Sequence, residues 1–136
     1  MRIRLLLAAT LLATLAFAQS ATNSITYRAP GGTTLKIMLD DRNVGKEVAV
    51  GEMVFPPNQD SAEHTHGAIE MFYVISGEYT HVVNGQAYVL KPGMAGYVKI
   101  GDKIKHKTGA EGAKTVVIWV PGLEATKLAQ QWKREP

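Results

Sequence analysis

The chain has 136 residues, enough for one domain with a substantial core. It has no cysteine, which excludes a disulfide framework and a thiolate metal site. Any metal must then be held by imidazole and carboxylate, donors that suit Mn, Fe, Co, Ni, Zn or Cu(II). Fifteen Lys and Arg against twelve Asp and Glu give a net charge of +3, which makes no case for a nucleic-acid surface.

Residues 1–18 read as an export signal. Arg2 and Arg4 open it, Leu5 to Ala18 is almost wholly apolar, and Ala16-Phe17-Ala18 is a small-x-small cleavage site before Gln19. The apolar run is shorter than the roughly 20 residues a spanning helix needs. The expectation is a periplasmic or secreted protein with no membrane contact after cleavage. Losing Arg2 and Arg4 would bring the net charge from +3 to +1.

Residues 19–33 are expected to be a flexible N-terminal segment, small and polar at first. From there the chain runs in short apolar stretches broken by Gly, Pro, Asn and Asp. Thr34 to Leu39 reads as a strand, and Asp40-Asp41-Arg42-Asn43 as a turn. Val48 to Phe55 is a second strand, stopped by Pro56-Pro57-Asn58. Glu70 to Ser76 is rich in aromatic and β-branched residues and ends at Gly77. Tyr79 to Val83 and Gln86 to Leu90 flank Asn84-Gly85, whose two positions both tolerate the positive φ of a type I′ hairpin turn. Tyr97 to Ile100 and Thr115 to Val120 complete the strands. Such a series implies an all-β sandwich or barrel over residues 34–122. Residues 123–136 are expected to form a short amphipathic helix and tail, with Leu128 and Trp132 on one face.

The segment His64-Thr65-His66-Gly67-Ala68-Ile69-Glu70 carries the chemistry. In extended chain, residues two apart face the same side, so His64 and His66 aim two imidazoles at one point. A bend at Gly67 would let the Glu70 carboxylate return toward them. His106 lies beyond a further hairpin and strand and can join only through the fold. The pair alone is a weak signal; with Glu70 and Gly77 at their spacings it is a strong one.

With these residues, the stretch from Gly51 to His106 resembles the cupin superfamily, in its small single-domain form. His64, His66, Glu70 and Gly77 match the family's first motif, although Gly51 lies further upstream and leaves a longer loop from Pro56 to Glu63. Gly85, Pro92-Gly93 and His106 match the second more loosely: Met94 stands where Asp is common, and Lys99 to Lys105 replaces a Pro-rich approach. The resemblance implies a jelly-roll β-barrel of two antiparallel sheets. It implies one divalent metal ion held by His64, His66, Glu70 and His106. It also implies a homodimer, for which Thr34 to Leu39 is the candidate edge strand.

His81 shares a strand face with Tyr79 and Val83. Its functional role would be a proton shuttle or substrate contact, as against a satisfied buried imidazole. Lys99, Lys103, Lys105 and Lys107 flank His106 and could draw in an anionic substrate or depress the His106 pKa. Phe72, Val74, Met94 and Trp119 read as core. The function the resemblance implies is metal-dependent chemistry on a small organic molecule, of dioxygenase, decarboxylase or isomerase type. Two readings compete with it: a non-catalytic periplasmic protein that binds a metal or small ligand, and a barrel whose site is idle.

Overall fold

The computed structural model describes residues 24–136; the expected signal peptide and residues 19–23 lie outside that range. In chain order the elements are β1 (Ile25–Arg28), β2 (Thr34–Leu39), β3 (Ala49–Phe55), β4 (Ile69–Val83), β5 (Gln86–Leu90), β6 (Ala95–Val98), β7 (Ile104–Val120), α1 (Leu123–Gln131) and β8 (Lys133–Arg134). The strands join antiparallel in the order β5-β4-β7-β3-β2-β1-β8, with β6 also paired to β4. This is the expected all-β jelly roll with a short C-terminal helix. Among the described residues, no helix is long and apolar enough to cross a membrane.

Two long strands make the roll. Glu70 to Ser76 and Tyr79 to Val83, read above as separate strands, are one strand of 15 residues. Its partner β7 has 17 and begins well before Thr115, so His106 lies inside a strand. Both bend at one corner, where Gly77 pairs with Ala113 and the β4–β7 register shifts on either side of Gly77. Gly77 has φ +77°, and a Cβ there would lie 2.1 Å from the Gly112 carbonyl oxygen. Gly77 bends the strand without ending it. Gly77→Ala therefore meets both left-handed backbone strain and a backbone clash, and should destabilise the fold by about 1–3 kcal/mol. Urea unfolding checks this; an unchanged midpoint would mean the corner is soft.

The alternation in β3, β4 and β7 sends Met53, Phe55, Phe72, Val74, Tyr79, Val117 and Trp119 into one buried core. Met94 does not join it. It sits 45 % exposed in the turn after Pro92-Gly93, where its sulfur accepts a hydrogen bond from the Lys91 N–H at 3.3 Å. Asn84 and Gly85 have φ values of 50° and 85°, both positive as the hairpin turn requires.

The ends of the chain close on each other. Within the segment expected to be flexible, Ile25–Arg28 forms β1, paired to β2 on one side and to β8 on the other. Arg28 also meets the Glu135 carboxylate at 3.0 Å. That partner lies 107 positions away, which is why local composition concealed the strand. As a result β2 is an inner strand, between β1 and β3. Its edge is unavailable for the sheet extension expected of Thr34 to Leu39; β5, β6 and the short β8 are edges instead.

Candidate metal centre

The loop from Pro56 to Ala68 is strapped along the first half of β7. His64 N–H bonds to the Ile104 carbonyl at 3.0 Å, and the Ile104 N–H returns to His64 at 2.9 Å. Ser61 N–H bonds to the His106 carbonyl at 2.9 Å, and its hydroxyl accepts from His106 N–H at 2.9 Å. The loop thus runs as an extended chain beside His106. Burial alternates from Thr65 to Glu70, with His66, Ala68 and Glu70 buried and their neighbours exposed. The period-two reading of the HxH pair holds although His64 and His66 lie outside any named strand.

Ring nitrogens of His64, His66 and His106 come within 4.8 Å of one another, an arrangement that could hold a metal ion. Each ligand candidate is tied back at its other end. His64 Nδ1–H donates to the Ala62 carbonyl at 3.0 Å. His66 Nδ1–H donates to Glu124 Oε1 at 3.0 Å. His106 Nδ1 bonds to the Tyr79 hydroxyl. Glu70 Oε1 accepts from the Trp119 indole N–H at 2.7 Å. A carbonyl and a carboxylate can only accept, so His64 and His66 carry their proton on Nδ1 and present the Nε2 lone pair.

The inward atoms are then free to converge. His106 Nε2 lies 3.2 Å from His64 Nε2. His66 Nε2 lies 3.0 Å from Glu70 Oε2. That second pair is at ion-pair distance but out of line for a hydrogen bond, and both atoms are buried without a hydrogen-bond partner among the described residues. Two donors cis to each other on an ion, each about 2.1 Å from it, stand about 3 Å apart. The three imidazoles form a set that fits a metal ion, and the orphaned Glu70 Oε2 meets that set at His66 without lying equally close to all three rings.

The electrostatics suit this at His106, whereas at His66 a proton competes with the ion. Burial holds His106 well below the usual histidine range, helped by the neighbouring His81, His64 and His66, so its imidazole is neutral. Burial works to lower the His66 pKa too, but Glu70 and Glu124 on either side outweigh it and raise the net value. Burial likewise opposes ionisation of Glu124, yet His66, the Gly67 N–H and Lys127 together hold it below the usual carboxylate value. Tyr79, fully buried beside Glu70, is raised well above the ordinary phenol value and keeps its proton.

Three expectations about neighbouring residues need restating. His81 is paired across the strands with His106 and stacks on its ring at 5.3 Å. It lines a separate cavity between β5 and β6, not the one that His64, His66 and His106 line. Burial lowers its pKa to about 4, with the charges of His66 and His64 adding to the effect. Lys105 and Lys107 do not face the site. Alternation about the inward His106 turns them outward, where they meet Asp60 at 2.8 and 3.2 Å. The pKa of His106 is depressed first by burial, not by these lysines.

Glu124, Tyr79 and Trp119, which orient the ligand candidates, carried no local signal. The cavity over the three histidines holds about 700 Å³. Its walls include Met53, Phe55, Leu128 and Trp132, with Lys127 and Gln59 among the polar groups.

A bent antiparallel roll with three imidazoles and a carboxylate gathered in its mouth defines the class. The Cupin domain family matches residues 51–121, more than half of the chain, and the chain belongs to that family. Among curated proteins none matches. Similar solved structures include an RmlC-like cupin from Shewanella frigidimarina, with TM-score 0.66 and 18 % identity over 83 % of this chain and 96 % of that one. KdgF from Halomonas sp. superposes with TM-score 0.62 and 16 % identity, over 73 % of this chain and 88 % of its own. Oxalate decarboxylase from Bacillus subtilis gives TM-score 0.64 and 19 % identity over 76 % of this chain, but only 29 % of the enzyme. At these identities the likeness is one of fold.

Proposed function

We propose that this chain holds one divalent metal ion with His64, His66, Glu70 and His106 and uses it to transform a small organic anion bound in the cavity above. The observation that carries this reading is the set of inward Nε2 and Oε2 atoms whose opposite ends are all anchored. Four ligands on a six-coordinate ion leave two positions for substrate or water, the feature that separates a catalytic site from a closed structural one. When bound, the ion would act as a Lewis acid on a substrate oxygen.

The residues of the chain supply the rest. Met53, Phe55, Leu128 and Trp132 line an apolar wall that excludes water from the bound molecule. Lys127, 3.3 Å from Glu124, is the cation placed to meet an anionic group. A carboxylate substrate is consistent with the likeness to a decarboxylase of oxalate, and export is consistent with the apolar N-terminal run. One observation favours capture without turnover instead: the two carboxylates on the cavity wall besides Glu70 are both engaged. Asp60 is held as the anion by Lys105 and Lys107, and Glu124 by His66 and Lys127.

Elemental analysis of protein refilled with each first-row divalent ion tests the reading, joined to a turnover screen on small mono- and dicarboxylates. The expected result is one ion per chain and a product whose formation stops with chelator. A bound ion with no product from any carboxylate would select the capture reading. Refilled protein without any ion would end both.

A further inference from the structure

We propose that Glu124 is a positioning residue of the metal centre, through which the C-terminal helix sets the site's metal affinity. The inference rests on the metal reading above and goes beyond it. Glu124 lies just past the family match, which ends at residue 121. It stands in the first turn of α1, 58 positions from the histidine it contacts.

Its two oxygens do different things. Oε1 accepts the His66 Nδ1–H at 3.0 Å, and Oε2 accepts the Gly67 backbone N–H at 3.2 Å. One carboxylate thus fixes the tautomer of the ring and the position of the backbone beside it. Glu124 is only 6 % exposed, so this pairing is not traded freely for water. A carboxylate on the far nitrogen of a metal-binding imidazole raises the basicity of the near one and holds the ring in place. The helix N-terminus is also where a carboxylate charge is favoured.

The helix that carries Glu124 is pinned at both ends. A Cβ on Gly122 would lie 2.5 Å from the Val48 carbonyl, so only glycine allows the chain to turn that closely against the start of β3. Gly122 N–H also bonds to the Lys46 carbonyl at 2.9 Å. At the other end Lys133 and Arg134 pair with Arg28 and Tyr27. Between them Leu128 and Trp132 pack on the core. The position of the carboxylate is therefore set by the docking of α1 and not by the ligand loop.

The test is a zinc titration of the full chain against a competing chelator, for wild type, Glu124→Ala and Glu124→Gln, with thermal unfolding of each apo form as a control of folding. The second readout is the buried His66 N–H proton resonance of the zinc-loaded protein. Glu124→Ala should weaken zinc binding about 10- to 100-fold and lose the resonance to exchange with water. Glu124→Gln keeps an acceptor for the ring but presents its amide donors to Gly67 N–H, so its loss should be smaller and the resonance should persist. Wild-type affinity in both variants would overturn the proposal while leaving the metal reading intact. Weaker binding with the resonance retained in Glu124→Ala would also overturn it, since the role would then be only structural. No zinc bound by wild type would end the metal reading and this proposal together.

Discussion

A divalent ion supplied at about a hundredfold above its Kd should stabilise the wild-type chain by about 2.7 kcal/mol, because it binds the folded state alone. For a domain of this size that is a rise in Tm of about 10 °C. His64→Ala should abolish most of the shift while leaving the metal-free Tm close to wild type. His64 is the suitable residue for the contrast. It is only partly buried, and its ring nitrogens contact only the Ala62 carbonyl and His106. Removing His66 instead would leave the buried Glu70 and Glu124 carboxylates facing each other without the imidazole between them, so the apo fold would suffer as well. Thermal melts of both proteins with and without the ion measure the effect. An equal metal-induced shift in the two would mean that the ion binds elsewhere.

The half of this candidate site that is local in sequence was legible as a cluster; the half that orients it was not. His64, His66 and Glu70 fall within seven residues; period-two alternation pairs the two histidines, and a bend at Gly67 was expected to return Glu70 toward them. His106 was placed by resemblance to a family whose late histidine returns to the same point. The partners that aim these groups are distant: Glu124 lies 58 positions from His66, and Trp119 lies 49 from Glu70. Neither contact leaves a periodic trace. The outward direction of Lys105 and Lys107 follows from alternation about an inward His106, and placing no strand between Ile100 and Thr115 hid it. Gly77 was misjudged for a related reason. A glycine that ends one strand and a glycine that bends a longer one look alike until the partner strand shows a matching break, here at Gly112 and Ala113. β1 was missed in part because two of the six residues that pair with it are among the last of the chain.

Trp119 links the core to the candidate metal centre, and replacing it separates the two contributions. The indole is fully buried, and its N–H is the only hydrogen-bond partner of Glu70 Oε1 among the described residues. Trp119→Ala removes a large core side chain and should cost about 3–5 kcal/mol of stability. Trp119→Phe keeps most of the apolar volume but leaves a buried carboxylate oxygen without its donor, worth about 1–3 kcal/mol. Metal affinity tells packing from polarity. Without the indole, the Glu70 carboxylate loses the donor that orients it, so Trp119→Phe should weaken metal binding, whereas a mere loss of packing would not. Urea unfolding, with metal affinity measured in parallel, reads both effects. A Phe variant that binds metal as tightly as wild type would show that the indole serves the core alone.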